Sequence, residues 1–313
     1  MGALRRLLIA TARHGRLVLI AGLVAGILLP GFAGMVRGVL PELVACMLAV
    51  AALRIGPSAA RGSLADIHIS LRLVAVYQLL LPLVLAGAFL ALGWDGTLAT
   101  AMVLMAAAPS ISGSPNLTIM TGHDPAPALR LMIAGVALLP LTVAPVFLLW
   151  PIFGSLGAIA LASGKLLLLI GCSSAVAFVI RHRFFPQPSI ETLGVIDGVS
   201  ALLMAVLVIG LMSALGPAIT ETPGLVGLTL AAAFAINFSL QIAAYMLTGG
   251  RGHERSRVAW SIIAGNRNIA LFLVALPAAI TDPLLLFIGC YQIPMYLTPI
   301  LLRPLYSGWA QPR

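Results

Sequence analysis

Two short polar stretches interrupt a chain that otherwise offers little chemistry. The first reads Ala108-Pro109-Ser110-Ile111-Ser112-Gly113-Ser114-Pro115-Asn116-Leu117-Thr118, and the second reads Gly265-Asn266-Arg267-Asn268, each inside an apolar run. Hydroxyls, amides and a guanidinium in such a setting can bind a ligand or an ion, but they include no nucleophile beside a base. No GxGxxG, Walker loop, HExxH or GxSxG motif is present, so no enzyme chemistry is expected. Proline removes a backbone donor and clashes with the preceding turn. Backbone left unpaired in hydrocarbon is tolerated only where it faces protein or a water-filled cavity. A single proline or glycine break is best read as a packed kink. Two polar breaks 154 residues apart, measured from Ser112 to Asn266 and one of them carrying an arginine, point instead to a transport site. The candidate binding residues are Ser110, Ser112, Ser114, Asn116 and Thr118 in the first break, with Gly265, Asn266, Arg267 and Asn268 in the second.

The elements that position these residues follow from composition. Of 313 residues 61% are hydrophobic and 9% charged, with a mean hydropathy of +1.10. An ordinary soluble domain is about 25% charged, so a soluble enzyme, a nucleic-acid module, a collagen and a disordered chain are all excluded. A polytopic, all-α membrane protein remains, with the lipid bilayer as its first partner. Charge-poor runs of about 20 residues give ten spans, at 17–35, 38–53, 73–93, 97–121, 127–150, 160–180, 195–215, 223–247, 258–280 and 283–303. The basic first sixteen residues precede an apolar run without a small-residue cleavage site, and are read as the approach to the first span rather than a signal peptide.

The basic residues then set the orientation. With ten spans, Arg5, Arg6, Arg13, Arg16, Arg54, Arg61, Arg72, Arg130, Arg181, Arg183, Arg251, Arg255, Arg257, Arg303 and Arg313 fall on one side, against Arg37 and Lys165 on the other. The positive-inside rule makes that side, and both termini, cytoplasmic. His14, His68, His123, His182 and His253 lie there too. The net charge of +9 therefore reflects a multi-pass protein of the cell (inner) membrane, and no nucleic-acid partner is needed to explain it.

Span starts in the two halves are offset by about 150 to 157 residues. Five helices per half, 1–152 and 153–313, force the second copy to enter the membrane inverted, as in many secondary transporters. No residue-level identity between the halves accompanies this spacing. Cys46, Cys172 and Cys290 lie in apolar runs and are expected to be free, buried thiols. Tyr77, Asn237, Gln241, Tyr291 and Gln292 are expected to bond between helices, and Trp94, Trp150 and Trp260 to anchor span ends at the interface. The sequons at Asn116 and Asn237 fall inside spans and are expected to be unused.

The layout resembles the bile acid:sodium symporter superfamily, whose members have ten helices in two inverted five-helix repeats, with the fourth and ninth unwound and crossing. Three motifs carry the resemblance: Gln78-Leu79-Leu80-Leu81-Pro82, Pro115-Asn116 with Gly122-His123-Asp124, and Gly265-Asn266-Arg267-Asn268. It implies alternating-access transport of a small organic anion, with Gln78, Asn116 and Asn268 at positions that contact sodium or substrate. Gln78 and Asn116 are the residues that would serve a sodium ion. The departures are Pro115 for a serine, Ile263 for an acidic residue, Arg267 for a glutamine, and Arg130 and Ala134 near the positions of two hydroxyl ligands. A hard cation needs several oxygens, so neither sodium nor another cofactor is expected to be required. Arg267, about 15 Å of helix inside its span, is expected to supply the positive charge itself. Its bonds would go to Asn116, Gln78 and carbonyls near Ser112, leaving donors for a carboxylate or sulfonate. Two other classes share such a layout: a non-transporting membrane sensor or interaction protein, and an arsenite- or auxin-type efflux carrier.

Overall fold

A computed structural model describes residues 2–62, 67–249 and 254–307, with the side chains of 16 and 58–62 excepted. Arg251, His253 and Arg313 lie outside the described residues, as do the side chains of Arg16 and Arg61. The chain begins with α1 (Ala3–Arg13), α2 (Gly15–Leu28), α3 (Pro30–Arg37) and α4 (Leu40–Gly62). Then α5 (Ile67–Val74) passes through a wide π-type turn at Ala75–Leu80 into α6 (Leu81–Ala91). Next come α7 (Thr97–Ala107), α8 (Ser114–Met120), α9 (Ala126–Leu149), α10 (Leu156–Phe184), α11 (Ile190–Leu211) and α12 (Leu215–Glu221). The remaining helices are α13 (Pro223–Leu247), α14 (Glu254–Gly265), α15 (Phe272–Ala275), α16 (Ala278–Thr281), α17 (Leu285–Leu301) and α18 (Arg303–Ser307).

Among the described residues there is no strand, and seven helical segments are long and apolar enough to cross a membrane. Each coincides with one predicted span. The other three predicted spans are divided. The range 17–35 breaks at Leu29, ahead of Pro30. The range 97–121 breaks between Ala107 and Ser114, and 258–280 breaks after Gly265. Leucines cover the outside, with Leu141 72% and Leu168 67% exposed. Water would not tolerate such a surface, whereas lipid tails do. This is an all-α, multi-pass membrane protein.

One compact unit comprises Met1–Arg61, Lys165–Val226 and Ala270–Gly289. Its centre is α11, whose start is capped by Ser189 Oγ accepting from the Thr192 amide at 3.1 Å. Helix α2 packs along α11 in the same direction, Gly22 opposite Ala205 and Gly26 opposite Ile209. Helix α1 crosses α11 at Gly198, where a Cβ would stand 2.1 Å from the Leu8 carbonyl oxygen, so only glycine allows this contact. Ion pairs Arg5–Glu191, Arg37–Asp282 (2.7 Å) and Arg54–Asp197 (3.0 Å) lie on exposed parts of the unit.

The second unit comprises Gly62–Gly164, Gly227–Ile269 and Cys290–Arg313. Its apolar cluster joins Ala259, Trp260, Ile263 and Ala264 of α14 to Val74, Tyr77, Ala128, Leu131 and Ala244. Trp260 is therefore a core residue rather than an interfacial anchor. Trp150 is also buried, and its indole Nε1 donates to Thr100 Oγ1 at 3.0 Å; that partner satisfies the one polar atom that would otherwise draw the ring to the interface. Trp94 is exposed, as expected of an anchor. The three cysteines are free, but only Cys290 is buried, with Cys46 and Cys172 on the exterior. An apolar run in a membrane protein has a lipid-facing side as well as a core side, and a thiol suits both.

Candidate functional site

The two polar breaks meet in the second unit. Pro109 and Pro115 end one helix and start the next: α7 stops at Ala107, and α8 begins at Ser114 with Pro115 in its first turn. The second break has no proline. It is held open by bonds to the first, because Ile111 N donates to Asn266 O at 3.1 Å and Asn268 N donates to Pro109 O at 2.7 Å. The two segments run antiparallel, with Ser110 opposite Arg267. Backbone groups that each helix loses at its break are thus recovered from the other, as burial in hydrocarbon requires.

Arg267 occupies the junction and is 1% exposed. Nε donates to Ala264 O at 2.8 Å, Nη1 to Ala108 O at 3.1 Å and Nη2 to Tyr77 O at 3.3 Å. Its Cζ lies 5.3 Å from the centroid of the Tyr77 ring, within cation–π range. Arg267 takes part in none of the ion pairs among the described residues. A positive charge is therefore buried on one aromatic face and on carbonyl dipoles from the ends of α7 and α14 and from the π-type turn. Such turns often mark functional positions. Three of the five guanidinium N–H groups are engaged in these bonds.

The same turn carries Gln78, which is 2% exposed. Its Nε2 donates to Gly135 O at 3.2 Å, while Oε1 and the Tyr77 hydroxyl have no partner among the described residues. Tyr77, Gln78, Ser110, Gly135 and Arg267 share a cavity of about 10 Å³ with apolar neighbours. That is room for about one water molecule, and too small for an organic anion.

Behind the second break lies a neutral hydrogen-bonded network. Asn237 Nδ2 donates to Gly265 O at 2.6 Å, and the Tyr291 hydroxyl donates to the same carbonyl while accepting from Arg267 N at 3.3 Å. Gln241 Nε2 reaches Asn237 Oδ1 (2.6 Å) and Thr298 Oγ1 (3.0 Å). Tyr306 donates to Gln241 Oε1 at 3.0 Å. At Gly265 a Cβ would fall 2.3 Å from Asn237 O, so the α13–α14 contact requires glycine.

The candidate residues separate accordingly. Ser110, Ser114, Thr118, Asn266 and Arg267 are buried, with Ser110 and Ser114 hydroxyls 2.5 Å apart and Thr118 Oγ1 bonded to Ser114 O at 2.9 Å. Asn266 is tied into the network, its Oδ1 accepting from Thr298 Oγ1 at 3.3 Å. Ser112 and Asn268 are half-buried, and Asn268 participates through its backbone amide. Asn116 is exposed on α8. The guanidinium bonds expected at Asn116, Gln78 and carbonyls near Ser112 go instead to the carbonyls of Tyr77, Ala108 and Ala264. Asn237, Gln241 and Tyr291 do bond between helices, whereas the Tyr77 side chain does not. Sequence reasoning missed Thr298, Tyr306 and Ser261, whose Oγ donates to Gln241 O at 2.7 Å; their polarity inside apolar runs was the available signal.

No protein-family model matches this chain, and no curated protein does.

Proposed function

We propose that this protein is a secondary transporter that moves a small organic anion by alternating access, on a bile acid:sodium symporter-like plan of ten spans in two inverted repeats. The observation that carries the reading is the junction of the two breaks, where Arg267 sits fully buried on three backbone carbonyls with no acidic partner among the described residues. A charge in the bilayer centre costs on the order of 2.5–3.5 kcal/mol on insertion scales, so its retention without a carboxylate favours a role toward an incoming anion. The repeat plan is supported in three ways. The breaks lie at matching offsets and run antiparallel. The two compact units each draw segments from both halves of the chain. Helices α2 and α11, which lie in the predicted first and seventh spans, run the same way, as odd-numbered spans do.

On this reading Arg267 supplies the cation that a coupling ion gives related carriers, and both termini are cytoplasmic. No carboxylate or histidine is among the site residues, so neither sodium nor protons drive the cycle. An uncoupled carrier would export an anion from an inside-negative cell, with about 2.3 kcal/mol per charge per 100 mV. The cavity of about 10 Å³ corresponds to a closed conformation that must open to admit substrate. That closure also favours the second reading, a membrane sensor that does not transport.

A thermal-shift screen of carboxylates, sulfonates and steroid conjugates on the purified protein identifies a ligand. Flux of that ligand into proteoliposomes then decides: the transporter reading expects saturable flux that is indifferent to a sodium gradient. Binding without flux supports the sensor, and steep stimulation by sodium refutes the uncoupled mechanism.

A further inference from the structure

The amino-terminal helix carries a surface that the transport reading does not use. Helices α1 and α2 meet at an angle of 85°. The outer face of α2, which opens the predicted span 17–35, is an apolar stripe of Leu17, Ile20, Val24 and Leu28, as suits a lipid-facing side. A helix bent by a right angle from such a span, at its start, lies along the membrane surface rather than through it. Helix α1 is built for that position. It rests on α11 through Leu8 at Gly198 and Ile9 at Gly194, and Arg5 is held by Glu191. The opposite side is open, with Leu4 70% and Leu7 61% exposed. On the helical wheel these leucines adjoin Ala3 and Ala10, and the arc continues to Arg6 and Arg13, both exposed. Neither of those arginines pairs with an acidic group among the described residues.

We propose that α1 is an interfacial helix that binds anionic lipid headgroups of the leaflet it lies in, with Leu4 and Leu7 inserted at the acyl boundary and Arg6 and Arg13 on the phosphates. Apolar insertion beside a basic edge is how amphipathic helices hold an anionic surface. Lipid is the occupant that fits both edges at once, because the helix leads into the lipid-facing stripe of α2 and its spare charge is positive. A protein partner would need to complement leucines and arginines at a position the bilayer already fills. A basic side chain near an anionic surface contributes about 1 kcal/mol. Arg6 and Arg13 together thus favour an anionic over a zwitterionic lipid roughly thirty-fold at this site.

The test uses the full chain with Cys46→Ser and Cys172→Ser, and a bimane label introduced through Leu7→Cys. The protein is reconstituted in phosphatidylcholine–phosphatidylglycerol vesicles in which one lipid or the other is brominated. Bromolipids should quench the label, and brominated phosphatidylglycerol should do so much more strongly than brominated phosphatidylcholine at equal mole fraction. Arg6→Glu with Arg13→Glu should abolish the preference, while the melting temperature of the detergent-purified variant confirms that it is folded. Absence of quenching by either lipid overturns the proposal, since α1 then does not touch the bilayer. Equal quenching by the two lipids, or a preference that survives the double variant, overturns the headgroup assignment. Cross-linking between labelled positions of two copies would show the face to be a protein contact and would overturn it as well.

Discussion

Deleting one oxygen from the site tests how the second break is held. Tyr291→Phe keeps the ring and removes the hydroxyl that donates to Gly265 O and accepts from Arg267 N at 3.3 Å. The Gly265 carbonyl retains a second donor, Asn237 Nδ2 at 2.6 Å, so no acceptor is stranded. The Arg267 amide loses that acceptor while remaining buried, which costs about 1–3 kcal/mol. No cavity larger than one oxygen opens, so no further penalty for lost packing is added. With a central value of about 2 kcal/mol and an unfolding entropy of about 2.1 cal/mol/K per residue, a chain of 313 residues shifts by roughly 1.5 °C per kcal/mol, so the melting temperature should fall by about 3 °C. Cys290 is 0% exposed and adjacent in sequence, so it reports the loss of this structure directly. A thiol-reactive dye, applied to protein carrying Cys46→Ser and Cys172→Ser, follows its exposure on heating. A fall of less than about 1 °C would refute the reasoning that this hydroxyl pins the break.

Two other outcomes are expected, one from the site geometry and one from the arginine distribution. Gly265→Ala places a methyl 2.3 Å from Asn237 O; because backbone rather than a flexible side chain must yield, the loss should reach or exceed about 3 kcal/mol, read as a collapse of folded yield in gel filtration. For topology, single cysteines introduced at Gln187 should label only after permeabilisation of cells, and those at Asp95 or Thr220 in intact cells. The reverse pattern would overturn the orientation drawn from the arginines.

Much of this architecture was legible in the sequence, for a physical reason. Hydrocarbon demands long apolar runs and punishes unpaired backbone, so spans show as composition and breaks show as polar interruptions. The seven long helices and the interruptions after Ala107 and after Gly265 both belong to that legible part. What stayed hidden concerns direction. Cys46 and Cys172 look like core thiols because the lipid-facing and inward faces of a span are equally apolar. Trp150 and Trp260 look like anchors because position along a span says nothing about which side the ring faces; Thr100 on another helix decides the first, and the cluster around Ile263 decides the second. The acceptors of Arg267 are carbonyls of Tyr77, Ala108 and Ala264, and a carbonyl has no sequence signature. Asn116 shares a polar stretch with Ser114 but falls on the exposed side of α8, a matter of helical phase that begins only where the break ends.

The central claim is that Arg267 fills a carbonyl cage that would otherwise hold a metal cation. The most direct measurement is a sodium titration of thermal stability, against potassium and choline, for the wild type and for Arg267→Gln. The wild type should be indifferent to sodium, because the guanidinium already occupies the carbonyls of Tyr77, Ala108 and Ala264. The variant should be less stable in choline, with those carbonyls unpaired, and should recover on sodium binding by up to about 2.7 kcal/mol at a hundred times its dissociation constant. A wild type stabilised by sodium, or a variant as stable as wild type and blind to the ion, would contradict the account.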